Sequence, residues 1–263
     1  MYVRLLDLAV PRLRRAAFRN LQLALPKLSL DEHRRIVAGS FRSIARLLVS
    51  LSRFSRLGPQ NISQWIRYDG VEHFIEAKRQ GRGVLFATGH IGNWELSAFA
   101  HAILTEPMHI VVRPLDDPAI DALIAGLRTL SGNHIIEKKD YARGILRALA
   151  RNEAVGILID QNTSIEEGIF VDFFGTPACV GTGFAKIAAH SGAAIIAGFA
   201  LWSEEERRYI LKFYPPLYAT GDTLEDTRRI HGQLEKVIRQ HPDQWLWMHR
   251  RWKTRPPGQP PLY

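Results

Sequence analysis

The chain has 263 residues, 46% of them hydrophobic and 23% charged, with a formal net charge of +9 and a single cysteine. These are the proportions of a globular protein, and they exclude the disordered, collagen-like and disulfide-scaffold classes. The lone Cys179 has no intrachain disulfide partner and cannot supply a cysteine-rich zinc site, which favours a reducing compartment.

The positive charge is concentrated at one end of the chain. Residues 1–60 hold twelve Lys and Arg against three Asp and Glu, and residues 61–263 hold equal numbers of each sign. A basic segment on a near-neutral body is typical of a protein that binds an anionic surface. We therefore predict a basic helical membrane-association segment at 1–60 and a separate domain at 61–263.

Within the basic segment, residues 11–25 predict a short amphipathic helix. Arginines fall on one side, and Leu13, Ala17, Leu21 and Ala24 fall on the other. Two interpretations stay open. The helix is either an ordinary surface helix packed on the body, or a helix that lies on an anionic membrane with its apolar face inward.

A second helix begins at the capping box Ser29-x-x-Glu32 and runs to about Ser52. The longest run without a charged residue, 187–203, is too short and too rich in Gly, Ser and His for a spanning helix. Arginines interrupt the apolar run that a secretory signal would need near the start. We therefore expect neither a transmembrane segment nor a cleavable signal.

From residue 70 onward, helical patterns alternate with short apolar runs. Buried strands are predicted at 84–88, 109–112, 134–136, 155–159, 193–200 and 209–213. Helices are predicted at 71–79, 94–104, 119–130, 141–150, 184–190 and 224–239, a long Gly-rich loop at 160–183, and a loose Pro-rich tail at 255–263. This alternation predicts an α/β fold with a largely parallel central sheet flanked by helices.

One segment combines the residues needed for acid–base chemistry. The strand at 84–88 leads directly into His90, a helix begins near Asn93, and Glu95 lies in its first turn. The carboxyl end of a strand is where α/β folds build their sites. A loop-to-helix bend can bring Glu95 to one imidazole nitrogen of His90 and leave the other nitrogen free as a general base.

No enzymic nucleophile accompanies this base. There is no G-x-S-x-G motif, and Cys179 lies far along the chain. A base without a nucleophile indicates that the substrate supplies one, as a hydroxyl group.

The H-x4-E pattern after a buried strand resembles that of the H-x4-D/E acyltransferases, and four blocks resemble the lipid A biosynthesis acyltransferase branch, the lauroyl and myristoyl transferases and their relatives. The blocks occur in family order, at 19–26, 83–95, 159–178 and 245–256. The resemblance implies a glycerolipid acyltransferase-like domain at 61–263. It also implies transfer of a fatty acyl group from a thioester to a hydroxyl of a membrane lipid, with no metal and no cofactor.

The resemblance also implies roles for particular residues. His90 matches the catalytic base and Glu95 its charge partner, and Asn93 of the same block is expected to contact the substrate. Arg113 matches the position thought to hold an anionic group of the acceptor, although it could also form a surface salt bridge. The matched residues of the third block are Asp160 and Gln161, expected to shape the acceptor pocket, and Phe174 and Gly175, expected to cover the acyl chain.

The implied partners are acyl carrier protein or acyl-CoA as donor, a lipid acceptor and an anionic membrane, and no nucleic acid. The implied place is the cytoplasmic face of the bacterial inner membrane, with peripheral or N-terminal attachment, and we expect residues 1–25 to provide the contact. A lipid A precursor is the expected acceptor, with a phospholipid, mannolipid or amino-acid lipid as alternatives.

Two other classes are compared with this expectation. A lipid or thioester hydrolase could use the same dyad on water. A nucleic-acid-binding module could use the basic segment and the Trp/Arg-rich stretch at 245–255, but no recognised nucleic-acid fold pattern accompanies them.

Overall fold

The computed structural model describes residues 11–137 and 141–263. Its helices are α1 (Pro11–Ala24), α2 (Leu30–Leu51), α3 (Val71–Arg79), α4 (Trp94–Leu104), α5 (Pro118–Thr129), α6 (Tyr141–Ala150), α7 (Gly183–Ser191) and α8 (Thr223–Gln240). Its strands are β1 (Ile66–Asp69), β2 (Val84–Thr88), β3 (Met108–Val112), β4 (His134–Glu137), β5 (Ala154–Leu158), β6 (Gly168–Phe173), β7 (Thr176–Gly181), β8 (Ala194–Ser203) and β9 (Arg208–Phe213).

A seven-stranded sheet forms the centre of the molecule, in the order β1-β9-β8-β2-β5-β3-β4. Every neighbouring pair in it is parallel except β8–β9. The expected α/β fold with a largely parallel sheet is therefore confirmed. β2 and β5 lie side by side, which brings the segments that follow their carboxyl ends to one edge of the sheet.

Helices cover both faces of the sheet, so β2 and its neighbours are buried on both sides. Apolar residues of α3, α4 and the end of α2 pack on one face, in a cluster that includes Phe86, Phe99 and Phe213. Residues of α6, α7 and α8 pack on the other face around Leu85 and Val155. Such two-sided burial explains why these strands read as continuous apolar runs in the sequence.

Most of the apolar face of α1 is buried against the rest of the protein, although Leu13 in its first turn is exposed. Ala17, Leu21 and Ala24 belong to the same cluster as Phe199 of β8 and Trp247. Of the two interpretations of this helix, packing on the body is therefore the one that the structure contains. Residues 1–10 of the segment expected to contact a membrane lie outside the described residues.

The prediction of a long loop at 160–183 is wrong for most of that range, because β6 and β7 form an antiparallel hairpin there. Its two-residue turn is Phe174-Gly175, with φ of 59° and 76°. A type I′ turn requires positive φ at both positions and is usually marked by Asn-Gly. Phe is an uncommon residue there, so the sequence carried little turn signal.

The tail at 255–263, expected to be loose, is docked on the fold. The Tyr263 hydroxyl bonds the side chain of Asn20, and Arg19 Nε donates to the Leu262 carbonyl over 2.8 Å. Arg255 donates to the Pro177 carbonyl over 3.1 Å.

Within the part of the chain that the structure describes, no helix is both long and apolar enough to cross a bilayer.

Candidate active site

His90 and Asp160 form a close pair at the carboxyl edge of the sheet. His90 Nδ1 lies 2.7 Å from Asp160 Oδ1, and the His90 backbone N–H donates to Asp160 Oδ2 over 2.7 Å. The two residues follow β2 and β5, which are neighbours in the sheet. Because an ionised carboxylate can only accept a hydrogen bond, Nδ1 of His90 carries the proton and donates it in that bond. Nε2 of the imidazole is then left as the basic nitrogen.

The loop between β2 and α4 fits this pair through its glycines. A Cβ on Gly89 would lie 3.1 Å from the Asp160 carboxyl, and a Cβ on Gly92 would lie 2.0 Å from the Ala200 carbonyl oxygen. Gly92 also has φ of 63°. The chain therefore turns sharply between β2 and α4, and it can do so at Gly92 because glycine has no side chain.

Asn93 starts α4 and is fully buried. Its Oδ1 accepts from the Leu96 backbone N–H over 3.0 Å, and its Nδ2 donates to Ser50 Oγ over 2.7 Å. Both ends of this side chain are used inside the fold. The residue expected to touch substrate therefore acts as a helix cap in the structure.

Trp245 fixes the second oxygen of Asp160. Its indole Nε1 donates to Asp160 Oδ2 over 2.8 Å, and Ile91 pairs with Trp245 in an isolated β-bridge. The Leu246 backbone N–H donates to the His90 carbonyl over 2.9 Å. Asp160 thus accepts three hydrogen bonds in a buried position, which holds it in one orientation against His90.

The charges of the pair shift both pKa values. Burial lowers the pKa of His90, but the charge and hydrogen bond of Asp160 raise it by more, so that it lies above the ordinary 6.5. Burial raises the pKa of Asp160, and the charge of His90 together with the three hydrogen bonds holds it well below its usual range. Asp160 is therefore ionised at neutral pH, and its charge makes His90 a stronger base.

The carboxylate of Glu95 is bound by Arg128 of α5 rather than by His90. Arg128 Nε and Nη2 donate to its two oxygens over 2.9 Å and 2.6 Å. Burial lowers the pKa of Arg128, and the hydrogen bond and charge of Glu95 raise it overall. The expected Glu95–His90 hydrogen bond is thus replaced by a bidentate ion pair, although the charge of Glu95 still raises the pKa of His90.

Of the remaining predicted residues, Gln161 lies beside His90, Arg113 lies at the same edge of the sheet, and Phe174 lies in the core. Gln161 is exposed, and its Nε2 lies 3.4 Å from His90 Nε2. Arg113 is exposed just after β3, at the same edge of the sheet. Phe174 is buried in the core, where its backbone N–H donates to Glu235 and its ring lies under Arg239, so it does not form a flexible cover with Gly175.

An apolar cavity extends from this site along the sheet between α4 and the strands. Trp94, Glu95 and Arg128 line it near the site, and the His90 and Trp94 rings lie 5.0 Å apart. The rest of the lining is mainly apolar, and its members include Phe86, Ala98, Met108, Ile110, Val111, Val112, Gly156, Leu158, Gly198 and Phe213.

A buried cation, Arg251, interacts with Asp160 through its charge. Arg251 is fully buried, donates to the Cys179 carbonyl over 2.8 Å and stands over the Phe173 ring. Its Nε and Nη2 have no hydrogen-bond partner among the described residues. Burial lowers its pKa to about 10, and the charge of Asp160 opposes that change. The positive charge of Arg251 therefore lies close enough to Asp160 to interact with its carboxylate.

Residues 11–137 and 141–263 contain no group of three or more His, Cys, Asp and Glu side chains that could hold a metal ion. The polar partners that sequence reasoning missed are Trp245, which lies in the fourth resembling block, and Arg128, which lies in none. Asp160 was assigned to the acceptor pocket rather than to His90. The shared sheet edge was a signal for the Asp160 pairing, but no spacing rule pointed to Arg128.

Comparison with known proteins identifies relatives that match nearly the whole chain. The family described as bacterial lipid A biosynthesis acyltransferase matches residues 5–254. The lipid A biosynthesis lauroyltransferase of Escherichia coli (strain K12) is 32% identical over 248 residues, which cover 93% of this chain and 80% of that protein.

Two further relatives come from the same organism. The lipid A biosynthesis palmitoleoyltransferase is 29% identical over 250 residues, covering 94% of this chain and 81% of that protein. The lipid A biosynthesis myristoyltransferase is 23% identical over 248 residues, covering 94% of this chain and 77% of that protein.

Proposed function

The chain belongs to the bacterial lipid A biosynthesis acyltransferase family and is an acyltransferase, and from this premise we propose that it moves a fatty acyl group from an acyl thioester to a hydroxyl of a lipid A precursor. The observation that carries the proposal is the His90–Asp160 pair near an apolar cavity, which is lined by Trp94, whose ring lies 5.0 Å from that of His90. Such a site combines a base for the acceptor hydroxyl with a cavity for the acyl chain of the donor.

In the proposed reaction, His90 Nε2 takes the proton of the acceptor hydroxyl while the oxygen attacks the thioester carbonyl carbon. The tetrahedral intermediate then collapses, the carbon–sulfur bond breaks, and the leaving thiolate takes the proton back from His90. Asp160 acts as a positioning residue, because its carboxylate fixes the Nδ1–H tautomer and stabilises the imidazolium that forms. No acyl-enzyme intermediate is required.

Glu95 is proposed to support His90 without a hydrogen bond to it. Its carboxylate is held by Arg128 at the wall of the cavity, so it acts on His90 through its charge. Arg113 and Gln161 are proposed to contact the acceptor. Arg113 is exposed at the sheet edge and can bind an anionic group with its guanidinium, and Gln161 lies beside the basic nitrogen.

The proposed donor is acyl carrier protein or acyl-CoA, and the proposed place is the cytoplasmic face of the bacterial inner membrane. Both donors are anionic, and the exposed arginines of α1 and α2, among them Arg12, Arg15 and Arg42, offer them a basic surface.

A transfer assay in detergent micelles tests the proposal. Purified protein is offered labelled acyl carrier protein or labelled acyl-CoA, each with a lipid A precursor, a lysophospholipid, a mannolipid or an amino-acid lipid. We expect labelled acyl lipid with the lipid A precursor and with one donor preferred. Transfer to another lipid alone would overturn the acceptor assignment. Label recovered entirely as free fatty acid would overturn the transferase in favour of a hydrolase.

A further inference from the structure

Helix α5 has an unusual distribution of polarity. In a surface helix of a globular protein, apolar residues face the core and polar residues face water. In α5 the exposed positions are mostly apolar, and the partly buried ones include its charged residues Asp121 and Arg128. No residue of this helix is fully buried.

The exposed fractions are large for apolar side chains of this size. Ile120 is 52% exposed, Leu123 is 62% exposed and Leu130, the C-cap residue, is 55% exposed. Ala119, Ala122 and Gly126 fill the arc between them, and Leu115 just before the helix is 42% exposed. These residues recur at helical spacing and form one apolar face, here called the α5 face.

The polar side chains of this segment are engaged on the inner side or at the helix start. Arg128 binds Glu95 at the wall of the cavity. Asp117 caps the N–H groups of Ala119 and Ile120, and Asp121 accepts from the Leu115 backbone N–H. The α5 face is therefore left without charged groups of its own, with Asp116 and Asp117 exposed beside its beginning.

Exposed arginines stand at both ends of the α5 face. Arg113 precedes Leu115 in the chain. At the other end, Leu130 lines a groove together with Phe54 and Leu57, and Arg53 and Arg56 are exposed in that same segment. An apolar face bordered by arginines complements an anionic lipid surface, where apolar side chains enter the acyl region and guanidinium groups meet phosphates.

We propose that the α5 face docks on an anionic lipid bilayer and so brings the opening of the cavity to the membrane surface. The inference rests on the proposed function, which places the acceptor in a membrane. It differs from the sequence-based expectation for α1, most of whose apolar residues are buried in the fold. Arg128 of α5 lines the cavity, so docking there gives lipid a short path to His90.

Vesicle binding tests the surface. The double variant Ile120→Gln/Leu123→Gln is compared with a matched control, Ile75→Gln/Leu224→Gln, whose residues are exposed by 45% and 38% on α3 and α8. The probe is vesicles of phosphatidylethanolamine and phosphatidylglycerol in equal parts. We expect the α5 variant to lose about tenfold or more in partitioning, and the control to stay within about twofold of the parent chain. Equal partitioning of both variants would overturn the proposal.

A fluorescent label reports contact directly. An environment-sensitive dye is attached at Leu123→Cys or, as a control, at Ile75→Cys, and the parent chain with its buried Cys179 serves as the labelling blank. We expect a blue shift on vesicle addition at position 123 and none at position 75. A dye at position 123 that stays in a watery environment while the protein is vesicle-bound would contradict docking through α5.

Two further measurements, acyl transfer in micelles and binding of acyl carrier protein, separate this inference from the proposed function. Transfer in micelles together with unchanged vesicle binding of the α5 variant overturns the docking surface and leaves the function standing. Loss of vesicle binding in that variant, with no transfer by the parent chain, supports the surface and overturns the function. Selective loss of acyl carrier protein binding by the α5 variant would show that this face binds the carrier and not the bilayer.

Discussion

The carboxylate of Asp160 lies 70 positions from His90 in the chain and 2.7 Å from its Nδ1 atom in the fold. Its charge raises the pKa of His90, and a general base must be neutral to accept a proton. The rate constant kcat/KM is therefore expected to rise with pH through a value above 6.5.

For Asp160→Asn we expect a loss of about 10²-fold or more in kcat/KM. Since the negative charge that raises the His90 pKa is removed, the rising limb of the pH profile moves to lower pH. The measurement is the pH dependence of transfer for both proteins. A limb that keeps its position, or moves to higher pH, would contradict the pairing of Asp160 with His90.

Glu95 and Arg128 form the other ion pair of the site, with side chains exposed by 9% and 17%. Removing one partner leaves a charge that is mostly shielded from water. We expect Glu95→Gln to lower the free energy of unfolding by about 3 kcal/mol, and Glu95→Gln/Arg128→Met to recover most of that loss. Urea unfolding measures both. The exposed pair Glu76–Arg79 is the control, and Glu76→Gln is expected to cost less than about 1 kcal/mol. Equal losses at the two sites would contradict the account.

At this scale the sequence indicated His90 as a candidate because its surroundings are local: a buried strand, glycines and a helix cap within a few residues. It assigned Glu95 as the partner because both residues lie in the same motif. In the fold His90 contacts Asp160 instead, since β2 and β5 are adjacent and Gly89 leaves room for the carboxyl group. Such a contact depends on sheet order, which spacing along the chain does not contain.

At the scale of elements, the connection from β2 to α4 depends on Gly92. Gly81, with φ of 73° and no atom within 4 Å of an added Cβ, is a matched control for the backbone strain alone. We expect Gly81→Ala to cost about 1 kcal/mol. Gly92→Ala adds a clash with the Ala200 carbonyl and is expected to cost about 4 kcal/mol or more. Thermal unfolding and soluble yield measure the difference, and equal costs at the two positions would refute the close approach.

The strands that the sequence predicted well are those with buried apolar runs, such as β2 and β8. It missed β1, which has four residues at the sheet edge and partial burial, so that its apolar signal is weak. It also missed the β6–β7 hairpin, because Phe174-Gly175 lacks the usual turn residues. β1 and this hairpin are specified by their neighbours more than by their own composition.

At the scale of the whole molecule, residues near the two ends of the described chain contact each other. The Tyr263 hydroxyl bonds Asn20, whose amide also donates to the Trp247 and His249 carbonyls over 2.6 Å. We expect Tyr263→Phe to lower the free energy of unfolding by about 1 kcal/mol, because the side-chain oxygen Oδ1 of Asn20 loses its hydrogen-bond donor. Tyr218→Phe, at a 41% exposed residue, is expected to change it by less than about 0.5 kcal/mol. Denaturant titration compares them, and no difference would mean that the tail does not hold α1.

The Pro-rich tail reads as loose from composition, since prolines give no helical or strand period. Its docking depends on Asn20 and on the Pro177 carbonyl, which lie in distant parts of the chain. The charge of the basic segment favoured a membrane role and its apolar face left packing on the body open, and the fold uses that face as part of the core. Charge location is visible in a sequence, but the partner of an apolar face is decided by the assembled molecule.

The central claim is that His90 is the general base of acyl transfer. The most direct test is the initial rate of labelled acyl lipid formation from the preferred thioester donor and lipid A precursor, for the parent chain and for His90→Ala, with melting temperatures measured to confirm folding. The account predicts that the folded variant loses about 10²- to 10⁴-fold in rate. A folded His90→Ala variant that transfers within a few-fold of the parent rate would contradict it.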